Sequence, residues 1–296
     1  MRSLVGLDLQ GHDTGAIRFA AWAASTKSPP LEALHVLRRS DLTALLDHTP
    51  QHDIEQGATR LAQAEIDKHG ARASWGLVSV VAGEAPELAL GNHATRVDAD
   101  VLVIGRRALT EGRALVRLGK VARRVLRRLV TTTVVVPPDF AVTSAGRGPI
   151  IVATDGGPAS DGAANFARQL AERLDRTLVV AHTFEDLAAI AGAHLPAVEL
   201  GPINERLEVV SGDKTRTWAH TNNLGECPIE VLRGESVGTL CRYAQSVDAA
   251  AIVCGSRRIG MADRLWQSSV GTGLASHAHC PVAVVPSDWG QSTDPA

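Results

Sequence analysis

The chain has 296 residues, 45% hydrophobic and 21% charged, so at roughly 150 residues per domain it divides into two domains with ordinary cores. A formal net charge of -2 and an aromatic content of 3% exclude a globally basic nucleic-acid binder and a stacking platform for single-stranded bases. Cys227, Cys241, Cys254 and Cys280 form no CxxC pair, which argues against a disulfide framework or a structural zinc.

The first apolar run, Leu4-Val5-Gly6-Leu7, stops at Asp8 and reads as a strand covered on both faces. Residues 14–25 carry Ile17, Ala20, Ala21 and Ala24 at helical spacing, and residues 53–69 carry Ile54, Ala58, Leu61, Ala62 and Ile66 likewise. Leu34-His35-Val36 separates them as a second strand. Residues 78–84 predict a strand, 84–96 a helix, 98–105 a strand, 120–129 a helix and 132–136 a last strand. Pro137-Pro138 through Pro149, with Gly146 and Gly148 between, reads as a connection. Strands alternating with helices specify a parallel sheet covered on both sides.

The same order then returns. Asp8 and Asp155 lie 147 residues apart, as do His35 and His182. Gly83 and Gly234, Gly105 and Gly255, and Pro137 and Pro286 follow at offsets between 149 and 151. The chain is a duplicated domain, read as residues 1–140, a linker at 141–148, and residues 149–288.

In an open parallel sheet a ligand sits at the carboxyl ends of the strands. Asp8 and Asp155 end the first strand of each copy, and Gly105 and Gly255 the fourth. Glycine there is expected to admit backbone amides to an anion, and a following helix start favours phosphate. The aspartates would accept from a base amine or ribose hydroxyl.

The segments Ile151-Val152-Ala153-Thr154-Asp155-Gly156-Gly157-Pro158-Ala159-Ser160 and Ser276-His277-Ala278-His279-Cys280-Pro281-Val282-Ala283-Val284-Val285-Pro286 resemble the universal stress protein family in its tandem form. The resemblance implies an α/β fold of two tandem five-stranded parallel-sheet domains, Rossmann-like and similar to adenine nucleotide alpha hydrolases. It implies ATP or AMP as ligand, no metal beyond nucleotide-associated Mg, and pairing through the last strand. The residues it points to are Asp8, Val36, Gly105, Arg106, Arg107, Gly119 and Lys120 in the first copy. In the second they are Asp155, Gly255, Ser256, Arg258 and Ser269.

Both copies depart from the family's G-x2-G-x9-G-[ST] pattern. Ala108 replaces the second glycine of the first copy, ten residues separate it from Gly119, and Lys120 stands at the hydroxyl position. Arg258 replaces that glycine in the second copy, where Ser268-Ser269 closes the motif. If the glycine needs positive φ, each side chain costs roughly 1 kcal/mol there. Arg258 and Lys120 are alternatively phosphate donors. The expected function is therefore a stress-associated regulatory or binding protein, not an enzyme, with degenerate pockets and ATP binding weak or lost. The alternatives are an ATP/AMP-binding sensor acting through a partner surface and a slow ATPase.

Nine basic residues lie between Arg106 and Arg128 against the single acid Glu111. An anion surface is one reading; the plainer one is a solvated helix face, with Val121, Val125 and Leu129 inward, leaving Arg106, Arg107 and Lys120 for phosphate. Gly112 to Lys120 fails as a P-loop, having six residues between its glycines and Val121 where Ser or Thr is required. His277, His279 and Cys280 have the wrong spacing to converge on a metal. His35 and His182 read as packed or ribose-adjacent, and Cys254 as a core thiol. Residues 185–218 form an insert of undecided role. No apolar run reaches the roughly 20 residues of a membrane span, and Asp8 interrupts any signal peptide, so a cytoplasmic protein is expected, with neither nucleic acid nor membrane as partner. The expected partners are the chain itself and an adenine nucleotide. Self-association is expected as an intramolecular pseudo-dimer through residues 132–136 and 282–285, and as a homodimer.

Overall fold

The computed structural model describes residues 1–24, 28–71, 73–82, 85–107, 118–143, 145–186, 201–256 and 270–290. They fall into two compact units with the boundary between Ala145 and Gly146.

The amino-terminal unit has strands β1 (Ser3–Leu7), β2 (Leu31–Leu37), β3 (Trp75–Ala82), β4 (Val101–Gly105) and β5 (Thr132–Val136). They lie in the order β3-β2-β1-β4-β5, and every pair is parallel. Helices α1 (Thr14–Ala23), α2 (Arg39–Leu46), α3 (Gln51–His69), α4 (Pro86–Arg96) and α5 (Lys120–Arg128) connect them. α1 packs with α3, and α4 with α5. Central strands β1 and β4 bury almost every residue, which is why they read as continuous apolar runs.

The carboxyl-terminal unit repeats the plan with β6 (Ile150–Ala153), β7 (Leu178–Phe184), β8 (Ile229–Arg233), β9 (Ala251–Ser256) and β10 (Val282–Pro286). Their order is β8-β7-β6-β9-β10, again all parallel. Its helices are α6 (Asp161–Leu174), α7 (Gly201–Thr221), α8 (Ser236–Ser246) and α9 (Val270–His277), with one 3-10 turn at Pro158–Ser160. In each unit the chain winds outward on one side of its first strand and then crosses to the other. The crevice at the ends of β1 and β4 is thus the switch point where such sheets take ligands.

Two close approaches recur in both copies. A side chain at Gly15 would collide with the Pro137 carbonyl, and one at Gly162 with the Pro286 carbonyl. Glycine there lets the first helix of each unit run against the end of its last strand. Asp98 and Asp248, at φ 52 and 50, turn the chain from helix into β4 and β9 through the left-handed region that aspartate tolerates.

Several elements differ from expectation. α2 was not anticipated: it buries only Leu42 and leaves Leu45 and Leu46 exposed, so it has no apolar stripe to read. α4 starts at Pro86, two residues later than expected, with proline in its first turn. α3 starts two residues earlier, at Gln51 behind Pro50. Much of the 185–218 insert is helix α7, which buries Asn204, Gly212, Thr215, Trp218 and Ala219; apart from Trp218 its inner face is small or polar, which hides it from a periodicity reading. Residues 187–200 of the insert, and Gly83, lie outside the described residues.

Candidate functional site

A cavity of about 460 Å³ opens at the switch point of the amino-terminal unit. Leu7, Leu34, Val36, Leu90 and Ile104 supply apolar walls. Asp8, Asp13, Asp41 and Glu87 bring carboxyl groups to it, Arg38, Arg107, Lys120 and Arg124 bring cations, and His12 lies among them.

One wall is the loop that leaves β1. Asp13, 3% exposed, folds back beneath it: Oδ1 accepts from the Asp8 amide at 2.8 Å, and Oδ2 from the Leu9 amide at 2.7 Å and the Asp8 amide at 3.0 Å. Burial, then the charge of Asp8, pushes the Asp13 carboxyl up to about 7, against the amides, which favour its ionised form. The Asp8 carboxylate accepts the Gln10 amide at 2.8 Å and holds His12 Nδ1 at 2.7 Å. His35 Nδ1 donates to the Leu7 carbonyl at 2.9 Å, which assigns the proton to that nitrogen. His182 makes the matching bond to the Thr154 carbonyl at 2.8 Å. Both histidines thus clamp the second strand to the first.

The facing wall is the start of α5. Gly119 caps it, Lys120 opens it, and its first turn holds no acid. The Arg107 side chain runs alongside Gly119. The first-turn amides, which have no partner within the helix, together with the helix dipole and two cations favour an anion here. Arg124 is partly committed, since its guanidinium donates to Glu87 Oε1 at 2.7 Å and ties α5 to α4.

Of the residues singled out in the sequence, Asp8, Val36, Gly105, Arg107, Gly119 and Lys120 line this one cavity. Arg106 does not. It is buried, and its amide continues the β4–β5 ladder by donating to the Val136 carbonyl at 2.9 Å. The space of the absent Gly105 side chain is taken by the His12 carbonyl, and that of Gly255 by the Ala159 carbonyl. These glycines admit the loop after the first strand. Arg123, Arg127 and Arg128 are exposed while Ala122, Val125 and Leu126 face inward, which is the solvated-face pattern. Val121 is only half-buried.

In the carboxyl-terminal unit Asp155 is exposed and accepts the Gly157 amide at 2.9 Å, while the Lys214 ammonium donates to the Asp155 carbonyl at 2.6 Å. Ser256 ends β9 beside Gly255. Arg258 and Ser269, like Ala108 and residues 111–117 of the basic run, lie outside the described residues. Among the described residues no group of three His, Cys, Asp or Glu is placed to hold a metal. His277 Nδ1 is bonded to the Gly273 carbonyl at 2.9 Å, and burial pushes the Cys254 thiol up to about 12.

Sequence reasoning passed over His12, Asp13 and Arg38. Only the repeat offset signalled Asp13, which stands where the second copy has Ser160; nothing local announced that it would be buried.

Two Rossmann-like units in tandem, each built of five parallel strands, define the class of protein. The profile of the universal stress protein family matches residues 1–137 and 146–286, and the chain belongs to that family. A universal stress protein of Mycolicibacterium smegmatis is 25% identical over 298 aligned residues, covering 95% of this chain and 96% of that protein. A universal stress protein from Archaeoglobus fulgidus superposes with a TM-score of 0.67 at 16% identity, over 96% of this chain and 98% of that one. A functionally unknown protein from Pseudomonas aeruginosa does so with a TM-score of 0.66 at 16% identity, over 98% and 94%. Among the described residues no helix is long and apolar enough to cross a membrane.

Proposed function

We propose that this is a cytoplasmic, stress-associated binding protein whose amino-terminal cleft takes an adenine nucleotide, ATP or AMP, with reduced affinity, and carries out no turnover reaction. The observation that carries the reading is the 460 Å³ cavity with Asp8 on one wall and Lys120 on the other, within the 300–1,000 Å³ typical of small-molecule sites. Apolar walls suit a base, the Asp8 carboxylate accepts from a hydroxyl or amine, and the α5 amino end with Arg107 and Lys120 suits phosphate. Affinity is reduced because Asp8 already serves the Gln10 amide and His12, so a ligand must share or displace those bonds. For the second unit the reading assigns no nucleotide, since Arg258 replaces the motif's second glycine.

Isothermal titration with ATP, AMP and adenosine tests this. Lys120→Ala should weaken ATP about ten-fold, the loss of one charge-assisted bond, and adenosine little. Asp8→Ala should weaken all three. Absence of heat at millimolar ligand would remove the nucleotide. Sustained phosphate release that Asp8→Ala abolishes would replace the binding role by an ATPase. A native mass spectrum of the untreated protein reads retained nucleotide and the expected homodimer together.

A further inference from the structure

We infer that Asp13 is the positioning residue that presents Asp8 to the cleft, and that its protonation makes ligand affinity in the amino-terminal unit depend on pH. The inference rests on the nucleotide reading of the cleft.

The loop it would govern is held in a costly shape. Leu9 lies at φ 55 and Gly11 at φ 85; the first is a left-handed conformation that a branched apolar residue avoids. What compensates is the buried carboxylate, both of whose oxygens accept amides of Asp8 and Leu9. A proton on Oδ1 weakens the shorter bond from the Asp8 amide and one on Oδ2 weakens the bond from Leu9, because a protonated carboxyl accepts less strongly than a carboxylate. The opposing influences on that proton are all close by. Burial, the Asp8 charge and a side-chain hydrogen bond with Asp8 favour it, the two amides resist it, and the balance brings the Asp13 carboxyl to about 7. His12 shares the loop and is bound to Asp8. From β4, Gly105 packs against His12 and Asp13, with Arg106 and Arg107 following it. From β2, His35 is committed to the Leu7 carbonyl.

The second unit shows the alternative. Its equivalent position is Ser160, with Oγ at 3.5 Å from Asp155 Oδ1. There the turn is made by Gly156 at φ +68, whose amide donates to Thr154 Oγ1 at 2.9 Å. That loop contains no buried carboxylate at the matching place, so the pH dependence belongs to the amino-terminal unit.

Adenosine is the probe, because it has no phosphate that titrates near neutrality. If only the ionised form of Asp13 presents Asp8, adenosine affinity should fall about ten-fold from pH 8 to pH 6, following the ionised fraction. Asp13→Asn should bind weakly and with a flat profile. Asp13→Ser, which reproduces the residue of the second unit, serves if the asparagine variant folds poorly. His12→Gln should keep the slope, since it leaves in place the amides donated to Asp13. The backbone amide resonances of Asp8 and Leu9 should titrate with a midpoint near 7 in the parent and not in Asp13→Asn. Adenosine binding that is flat in pH, or a slope that His12→Gln removes and Asp13→Asn keeps, overturns the inference. If adenosine fails to bind while those resonances still titrate through Asp13, its hold on the loop stands and the ligand assignment of the cleft falls.

Discussion

Replacing Gly105 by alanine probes the contact on which the shape of the cleft depends. A Cβ at this position points into the His12 carbonyl, with the Asp13 Cα next nearest; both are backbone, so no side chain can swing aside. Either the end of β4 or the loop from Asp8 to Asp13 must move. The loop is pinned by the amides donated to Asp13. Overpacking of this kind costs about 1–3 kcal/mol, and each backbone bond broken adds about 1 kcal/mol. Gly105→Ala should therefore destabilise its unit on the order of 3 kcal/mol and abolish adenosine binding. Gly57, in the middle of α3, is the control: a Cβ there meets nothing within 4 Å, and Gly57→Ala should stabilise by about 0.5–1 kcal/mol through helix propensity alone. Hydrogen exchange of the β4 amides in a urea series reads the opening free energy of that unit directly. Exchange in Gly105→Ala equal to the parent, with adenosine still bound, would show that the His12 carbonyl yields freely and that the glycine has another cause.

The Glu235 carboxylate caps α8 by accepting the Val237 and Gly238 amides at 2.8 and 2.7 Å, which holds its pKa below the ordinary 4.5. Glu235→Ala should cost about 1 kcal/mol at pH 7. Because the folded pKa lies below the unfolded one, the difference from the parent should be full above about pH 5 and vanish as pH falls through the acid range, as urea denaturation at several pH values will read. Cys254 is buried on β9 with its thiol pushed up to about 12, whereas Cys227 and Cys241 are half-buried. A thiol reagent at pH 8 should modify Cys227 and Cys241 in the native protein and Cys254 only on unfolding; rapid native labelling of Cys254, read by peptide mass spectrometry, would refute the closed β9.

The duplicated parallel-sheet plan was legible in the amino acids alone, because a strand buried on both faces must be apolar throughout, whatever surrounds it. Runs such as Leu4 to Leu7 and Ala251 to Cys254 therefore announce themselves, and their regular spacing announces the copy. Asp8 and Gly105 were singled out because such a sheet takes ligands at its strand ends, whereas Gly119 and Lys120 were pointed to only by the resemblance to the family's motif; the structure places all four on one cavity. α2 and α7 were not legible, since one buries a single leucine and the other, apart from Trp218, buries only small and polar residues. The tertiary structure alone decided that Arg106 turns inward, that His12 pairs with Asp8, and that Asp13 is shut away beneath the loop. Those outcomes depend on the path of a loop across the end of a strand far along the chain, where Gly105 leaves room for the His12 carbonyl. A periodic pattern states which side of an element is covered; it does not state which distant backbone does the covering, nor which carboxyl is cut off from water as a result.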